Sequence, residues 1–358
     1  FTEPSPVHDL KKEYVGVTSV NLTWAVSDAA SDSYTYRIEV VNGTSVRNLT
    51  SNVTCVEITE LIPGTMYNFT VFAAVNDSQT EGEGLSICLY TKPSPVHDLR
   101  EEYVGVTSVN LTWAVSDAAS DSYTYRIEVV NGASVRNLTS NVTGVEITEL
   151  IPGTMYNFTV FAAVNGSQTE GEGLSICLYT KPSPVHDVKA QYVGVTSVNL
   201  TWAVSDAASD SYTYRIEVVN GTCVRNLTSN VTGIEIAELI PGTMYNFTVF
   251  AAVNGSQTEG EGLFICLYTK PSPVHDLKKE YVGVTSVNLT WAVSDAASDS
   301  YTYRIEVVNG ASVRNLTSNV TGIEITELIP GTMYNFTVFA AVNGSQTEGE
   351  GLSICLYT

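Results

Sequence analysis

The chain repeats itself every 89 residues, and this periodicity limits its architecture more than any other feature. Trp24, Trp113, Trp202 and Trp291 are spaced by that interval, and the same shift maps Pro4 onto Pro93, Pro182 and Pro271. Repeats 1 and 2 differ at only five positions: Lys11/Arg100, Lys12/Glu101, Thr44/Ala133, Cys55/Gly144 and Asp77/Gly166. A unit of this size is long for a solenoid repeat and suits a self-contained domain. The 358 residues therefore read as four domains, with expected boundaries 1–92, 93–181, 182–270 and 271–358.

Within a repeat the apolar residues recur with period two. Val20, Leu22, Trp24 and Val26 alternate with Asn21, Thr23 and Ala25, and Tyr34, Tyr36, Ile38 and Val40 alternate with Thr35, Arg37 and Glu39. Tyr67, Phe69, Val71 and Ala73 form a third such run, Leu85, Ile87 and Leu89 a fourth, and Val56 and Ile58 a shorter one. An opening strand near Val7–Tyr14 and a short one near Val46–Leu49 bring the number to seven. Gly16, the Ser27–Ser33 cluster, Asn42–Gly43, Pro63–Gly64 and Gly82–Gly84 supply the turns. No segment carries a helical period. Seven short strands in about 90 residues predict an all-β fold, a sandwich of two sheets per repeat.

Each repeat also contains Leu-x-Pro-Gly-x-x-Tyr, seen first as Leu61–Tyr67. A Tyr at such a corner can bond its hydroxyl to upstream backbone and fix the turn between sheets. Trp24 in the second strand, Tyr36 in the third, this corner and the final Gly82–Thr91 strand together resemble a fibronectin type III domain. The resemblance covers essentially the whole chain. It implies that Trp24, Tyr36 and Tyr67 serve core and corner rather than a ligand.

The joints are short. Thr91–Lys92–Pro93–Ser94–Pro95 leaves no spare flexible residue, and its two prolines favour extended backbone. Consecutive domains are expected end to end in an extended rod. At ~3.3 Å per residue, a domain is about 35 Å long and four span of order 130–140 Å.

The net charge of −21 disfavours nucleic acid and anionic lipid, both of which need clustered Lys and Arg. No run of 18 apolar residues occurs, and no basic, apolar leader follows Phe1. A secreted chain loses its leader by cleavage, and a fragment of a longer protein would equally lack a span.

Of 24 asparagines, 22 lie in Asn-x-Ser/Thr motifs. They are Asn21, Asn42, Asn48, Asn52, Asn68 and Asn76 in repeat 1, and Asn110, Asn137, Asn141, Asn157 and Asn165 in repeat 2. Repeat 3 has Asn199, Asn220, Asn226, Asn230, Asn246 and Asn254, and repeat 4 has Asn288, Asn315, Asn319, Asn335 and Asn343. Such motifs accept N-glycans in secreted proteins, and their density predicts an extracellular chain.

Cys88, Cys177, Cys266 and Cys355 share one position in the final strand, whereas Cys55 and Cys223 are unique. Neither unique cysteine is expected beside a final strand, so the equivalent four are expected unpaired. Pairing between chains, through Cys55 or Cys223, is the alternative. His8, His97, His186 and His275 occupy one position a domain apart and form no metal cluster. Asp28, Asp32, Glu81 and Glu83 share one pole, as a solvated acidic end or a calcium site. No catalytic motif, phosphate loop or Arg-Gly-Asp is present, so no catalytic residue, cofactor or metal is expected. Arg37, Phe72 and Tyr90, with Cys88, are predicted to face outward on adjacent strands. They read as an aromatic–Arg ladder or as a partner face for an extracellular ligand or for self-association.

The runs Ser33–Val40, Leu61–Val71 and Thr80–Gly82 resemble the ectodomains of R3-type receptor protein-tyrosine phosphatases, in particular the eta type. The resemblance implies a type I membrane receptor with a cytoplasmic phosphatase domain. The His-Cys dipeptide of that catalytic loop occurs nowhere in the sequence. The expected function is therefore a non-catalytic spacer or ligand-recognition segment of a cell-surface receptor. The alternatives are an adhesion or matrix rod, or a spacer of a secreted hydrolase.

Overall fold

A computed structural model describes residues 3–27, 34–75 and 80–358. Asp28, Asp32 and Asn76 lie outside the described residues. Two compact units, Phe1–Thr180 and Lys181–Thr358, each hold two of the repeats.

In the first repeat, strands run in the order β1 (His8–Val15), β2 (Val20–Ala25), β3 (Tyr34–Asn42), β4 (Ser45–Ser51), β5 (Cys55–Ile58), β6 (Met66–Val75) and β7 (Leu85–Tyr90). The three later repeats carry the same seven strands. Each domain pairs them antiparallel into two sheets, β1-β2-β5 and β4-β3-β6-β7 in the first. The short β4 predicted near Val46–Leu49 extends over seven residues, because its register with β3 continues from Asn42↔Ser45 to Tyr36↔Ser51. Short 3-10 turns at Ser120–Ser122, Ser209–Ser211 and Ser298–Ser300 enter the third strand of the later domains.

The period-two pattern becomes a core because successive side chains leave a strand on opposite faces. Val20, Leu22 and Trp24 from one sheet meet Tyr36, Ile38, Phe69 and Val71 from the other, all buried. Trp24 and Tyr36 rings pack edge to face at 5.2 Å, a geometry repeated at 5.3 Å in each later domain. The corner forms as the sequence predicts. The Tyr67 hydroxyl accepts the Ile62 N–H at 2.9 Å, and Tyr156, Tyr245 and Tyr334 accept from Ile151, Ile240 and Ile329.

Candidate functional site

The joint inside each unit is built from residues that the repeat places at opposite poles. Leaving β7, Thr91 continues the ladder: its N–H donates to the Thr65 carbonyl at 3.1 Å, and its hydroxyl donates to the Ile62 carbonyl at 2.7 Å. Lys92 then donates its N–H to the Gly16 carbonyl and accepts the Gly64 N–H. Thr91 is fully buried although it is polar: its N–H and hydroxyl both donate, and the hydroxyl also accepts the Thr65 N–H at 3.0 Å.

Domain 2 grips this linker with one carboxylate. Asp117 Oδ2 accepts the Ser94 N–H at 2.8 Å and the Tyr123 hydroxyl at 2.8 Å. The Tyr123 ring lies against Gly64 of domain 1, whose φ of +61° suits glycine. A Cβ at Gly64 would lie on the Tyr123 hydroxyl and 2.5 Å from Cε1 and Cζ. Burial, and then the Asp117 carboxylate, push the Tyr123 phenol well above its ordinary range. Tyr90, the last residue of β7, packs against the domain 2 core. In the other unit Ser272, Asp295 and Tyr301 repeat the grip, Tyr301 lies against Gly242, and Tyr268 packs on the domain 4 core. At the far pole of domain 4, Gly331 has nothing within 4 Å of its Cβ position, and Tyr357 is 68% exposed.

The outer face of the four-stranded sheet centres on Arg37. Its guanidinium lies 4.0 Å above the Phe72 ring and forks onto Glu81, Nε to Oε1 at 2.7 Å and Nη2 to Oε2 at 2.8 Å. Nη1 also donates to Glu39 and to Asn48 Oδ1. Arg126, Arg215 and Arg304 reproduce the arrangement. The Arg37 hydrogen bonds hold the Glu81 carboxyl below the usual carboxylate range. The expected acidic pole is thus partly neutralised: Glu81 belongs to Arg37, and the repeat-2 counterpart of Asp28 is Asp117, which serves the joint. Among the described residues no group of three His, Cys, Asp or Glu side chains is placed to hold a metal ion. Of the three residues expected to share a face, Arg37 and Phe72 touch, while Tyr90 is committed to the neighbouring domain.

The sequons fall mostly on accessible surface. Asn48, Asn52, Asn137, Asn141, Asn165, Asn199, Asn226, Asn230, Asn254, Asn288, Asn315, Asn319 and Asn343 are exposed. Asn21, Asn68, Asn110, Asn157, Asn246 and Asn335 are half-buried, on positions that alternate with the core, and Asn42 and Asn220 are half-buried at the ends of their strands. All six cysteines are exposed and unpaired. Cys55 on β5 and Cys88 on β7 lie in different sheets.

A constellation not found by sequence reading joins His8 to two neighbours: Nδ1 meets Asp9 Oδ2 at 2.9 Å and Nε2 meets Ser27 Oγ at 2.7 Å. The later repeats copy it with Ser116, Ser205 and Ser294. Its connectivity is that of a Ser-His-Asp triad, but His8 is 46% and Asp9 78% exposed. A hydrated carboxylate does not stabilise an imidazolium as a buried one does, so the trio ties the start of β1 to the end of β2 instead.

Comparison with known proteins agrees with this geometry. A family model described as "Fibronectin type III domain" matches residues 5–86, 94–176, 183–263 and 272–354. The chain is 67% identical over 356 residues to receptor-type tyrosine-protein phosphatase eta of Gallus gallus, which covers 99% of this chain and 25% of that protein. It is 33% identical to the Homo sapiens protein of the same name, over 95% of this chain and 25% of that one, and 25% identical to Homo sapiens tenascin-R, over 92% and 25%. It thus spans about a quarter of the length of these relatives. Four matched segments, four sandwiches of three-plus-four strands and four tyrosine corners place the chain in the fibronectin type III family.

Proposed function

We propose that this chain is an extracellular spacer and ligand-presenting segment of a receptor-type tyrosine phosphatase of the eta kind, whose catalytic domain lies elsewhere in the longer protein. The observation that carries this is the 67% identity to the Gallus gallus phosphatase along 99% of the chain. Domain boundaries at 1–92, 93–181, 182–270 and 271–358 fit the matched segments. The joint supports a spacer role, because a carboxylate-gripped linker transmits orientation where a loose one would not. No helix among the described residues is long and apolar enough to cross a membrane. The sequons are the proposed glycan acceptors. Arg37 and Phe72 form the proposed partner face, with Tyr90 at its margin, for an extracellular protein or a second copy.

Secretion of the chain from eukaryotic cells tests the compartment: its intact mass falls on glycosidase treatment, and a mass equal to that of the bare polypeptide refutes the reading. Phe72→Asp tests the face on cells, where unchanged binding of the glycosylated chain removes it. The tenascin-R likeness favours a second reading, a matrix rod. The parent transcript separates the two by encoding either a membrane span and phosphatase domain or further matrix modules.

A further inference from the structure

Each domain sets a sequon asparagine of its sixth strand directly opposite a free thiol of its seventh. On the outer face of the four-stranded sheet, Asn68 of β6 is the register partner of Cys88 on the edge strand β7. Asn157/Cys177, Asn246/Cys266 and Asn335/Cys355 repeat the pair. The Cys88 Sγ–H donates to Asn68 Oδ1 at 3.5 Å, and the counterparts in domains 2 and 4 do so at 3.6 and 3.4 Å. In domain 3, Asn246 Oδ1 is buried and makes no hydrogen bond to the Cys266 thiol. In three of the four domains the thiol thus reaches the amide oxygen, and an N-glycan is carried on the other arm of that amide, its nitrogen.

The thiols need explaining. All four are exposed, they lie on an edge strand, and none has a disulfide partner. An exposed thiol outside the cell exchanges with small disulfides. Its thiolate attacks one sulfur, a mixed disulfide forms, and the other half leaves as a thiolate. Access sets that rate together with thiolate character. A branched sugar rooted on the asparagine opposite, one strand away, would stand over the sulfur.

Resting on the extracellular reading above, we propose that Asn68, Asn157, Asn246 and Asn335 are glycan sites whose sugars screen the four equivalent cysteines, keeping them as thiols. Cys55 lacks such a partner, since Thr23 stands opposite it, and Cys223 faces the sequon Asn220 only across a hairpin turn at the end of the sheet.

The test uses the full chain secreted from eukaryotic cells, with Cys55→Ser and Cys223→Ser so that only the four equivalent thiols remain. Glycopeptide mass mapping locates the sugars, and reaction with a dipyridyl disulfide, followed by release of thiopyridone, reads thiol access. Asn→Gln at the four positions should speed that reaction by about tenfold. Trimming the folded, unsubstituted sites to their first sugar should give an intermediate rate, and this arm holds even where the substituted chain fails to fold. Equal rates in glycosylated and trimmed chains, with sugars mapped at these four positions, overturn the screening. Bare asparagines at these four with sugars elsewhere overturn it too, and leave the extracellular reading intact. Sugars at no sequon overturn both.

Discussion

Gly64 and Gly331 occupy the same corner in domains 1 and 4, with φ of +61° and +65°, but only Gly64 has a neighbour. Substituting each by Ala therefore separates backbone strain from the joint. Gly331→Ala carries only the cost of a left-handed alanine, about 1–2 kcal/mol. Gly64→Ala carries that and also drives its Cβ into a ring whose Cζ would be 2.5 Å away, well inside ordinary contact. Tyr123 is buried and anchored by Asp117, so it cannot withdraw and keep its hydrogen bond. Losing a bond to a charged acceptor adds about 1.5–3 kcal/mol. That increment falls on the joint, where it raises local opening by about one to two orders of magnitude. Hydrogen exchange at the Ser94 amide reads it, in linker peptides that Arg100 and Glu101 distinguish by mass from the other joints. Gly64→Ala should accelerate that amide by this factor, and Gly331→Ala should leave it unchanged. Equal exchange in the two variants would refute the reasoning, since the ring contact would then constrain nothing.

Three further outcomes follow from the same geometry. Tyr245→Phe strips the Ile240 N–H of its acceptor and should cost about 1–3 kcal/mol in a denaturant melt, with little change elsewhere. Arg37 lowers the Glu81 pKa, so the stability from this pair is complete above the ordinary glutamate range and is lost as pH falls through the folded value. Glu81→Gln should flatten that acid slope in a pH series of melts, and an unchanged slope would show the pair to be inert. A fluorophosphonate should label none of Ser27, Ser116, Ser205 and Ser294, and covalent mass at any of them would give the exposed His–Ser–Asp trio a reactivity denied to it above.

The strands were legible because burial on one face writes itself as alternation. Val20, Leu22 and Trp24, or Tyr67, Phe69 and Val71, can be read off without coordinates. The tyrosine corner was legible because its partner, Ile62, lies within the same motif. The joint was not. Ser94, Asp117 and Tyr123 converge only after two strands have folded, and locally Asp117 reads as one acidic residue in a turn rich in Ser and Asp. Tyr90 shows a related limit: alternation sends it outward, and outward at the end of a strand means onto the next domain. The Arg37–Phe72 ladder was predicted from facing positions, whereas Glu81 closes its fork from an isolated bridge with Ala74, outside any alternating run.

The identical registers have a consequence for folding. The sixth strand of every domain reads MYNFTVFAAV and the third reads YTYRIEVVN. A strand borrowed from a neighbouring repeat would therefore make the same hydrogen bonds and fill the same core positions as the native one. Sequence offers no penalty against such an exchange, so the safeguard is order of arrival. A domain that closes as it leaves the ribosome has its strands paired before their duplicates exist. Refolding from denaturant removes that order, and the whole chain should then trap strand-swapped species that nascent chains avoid.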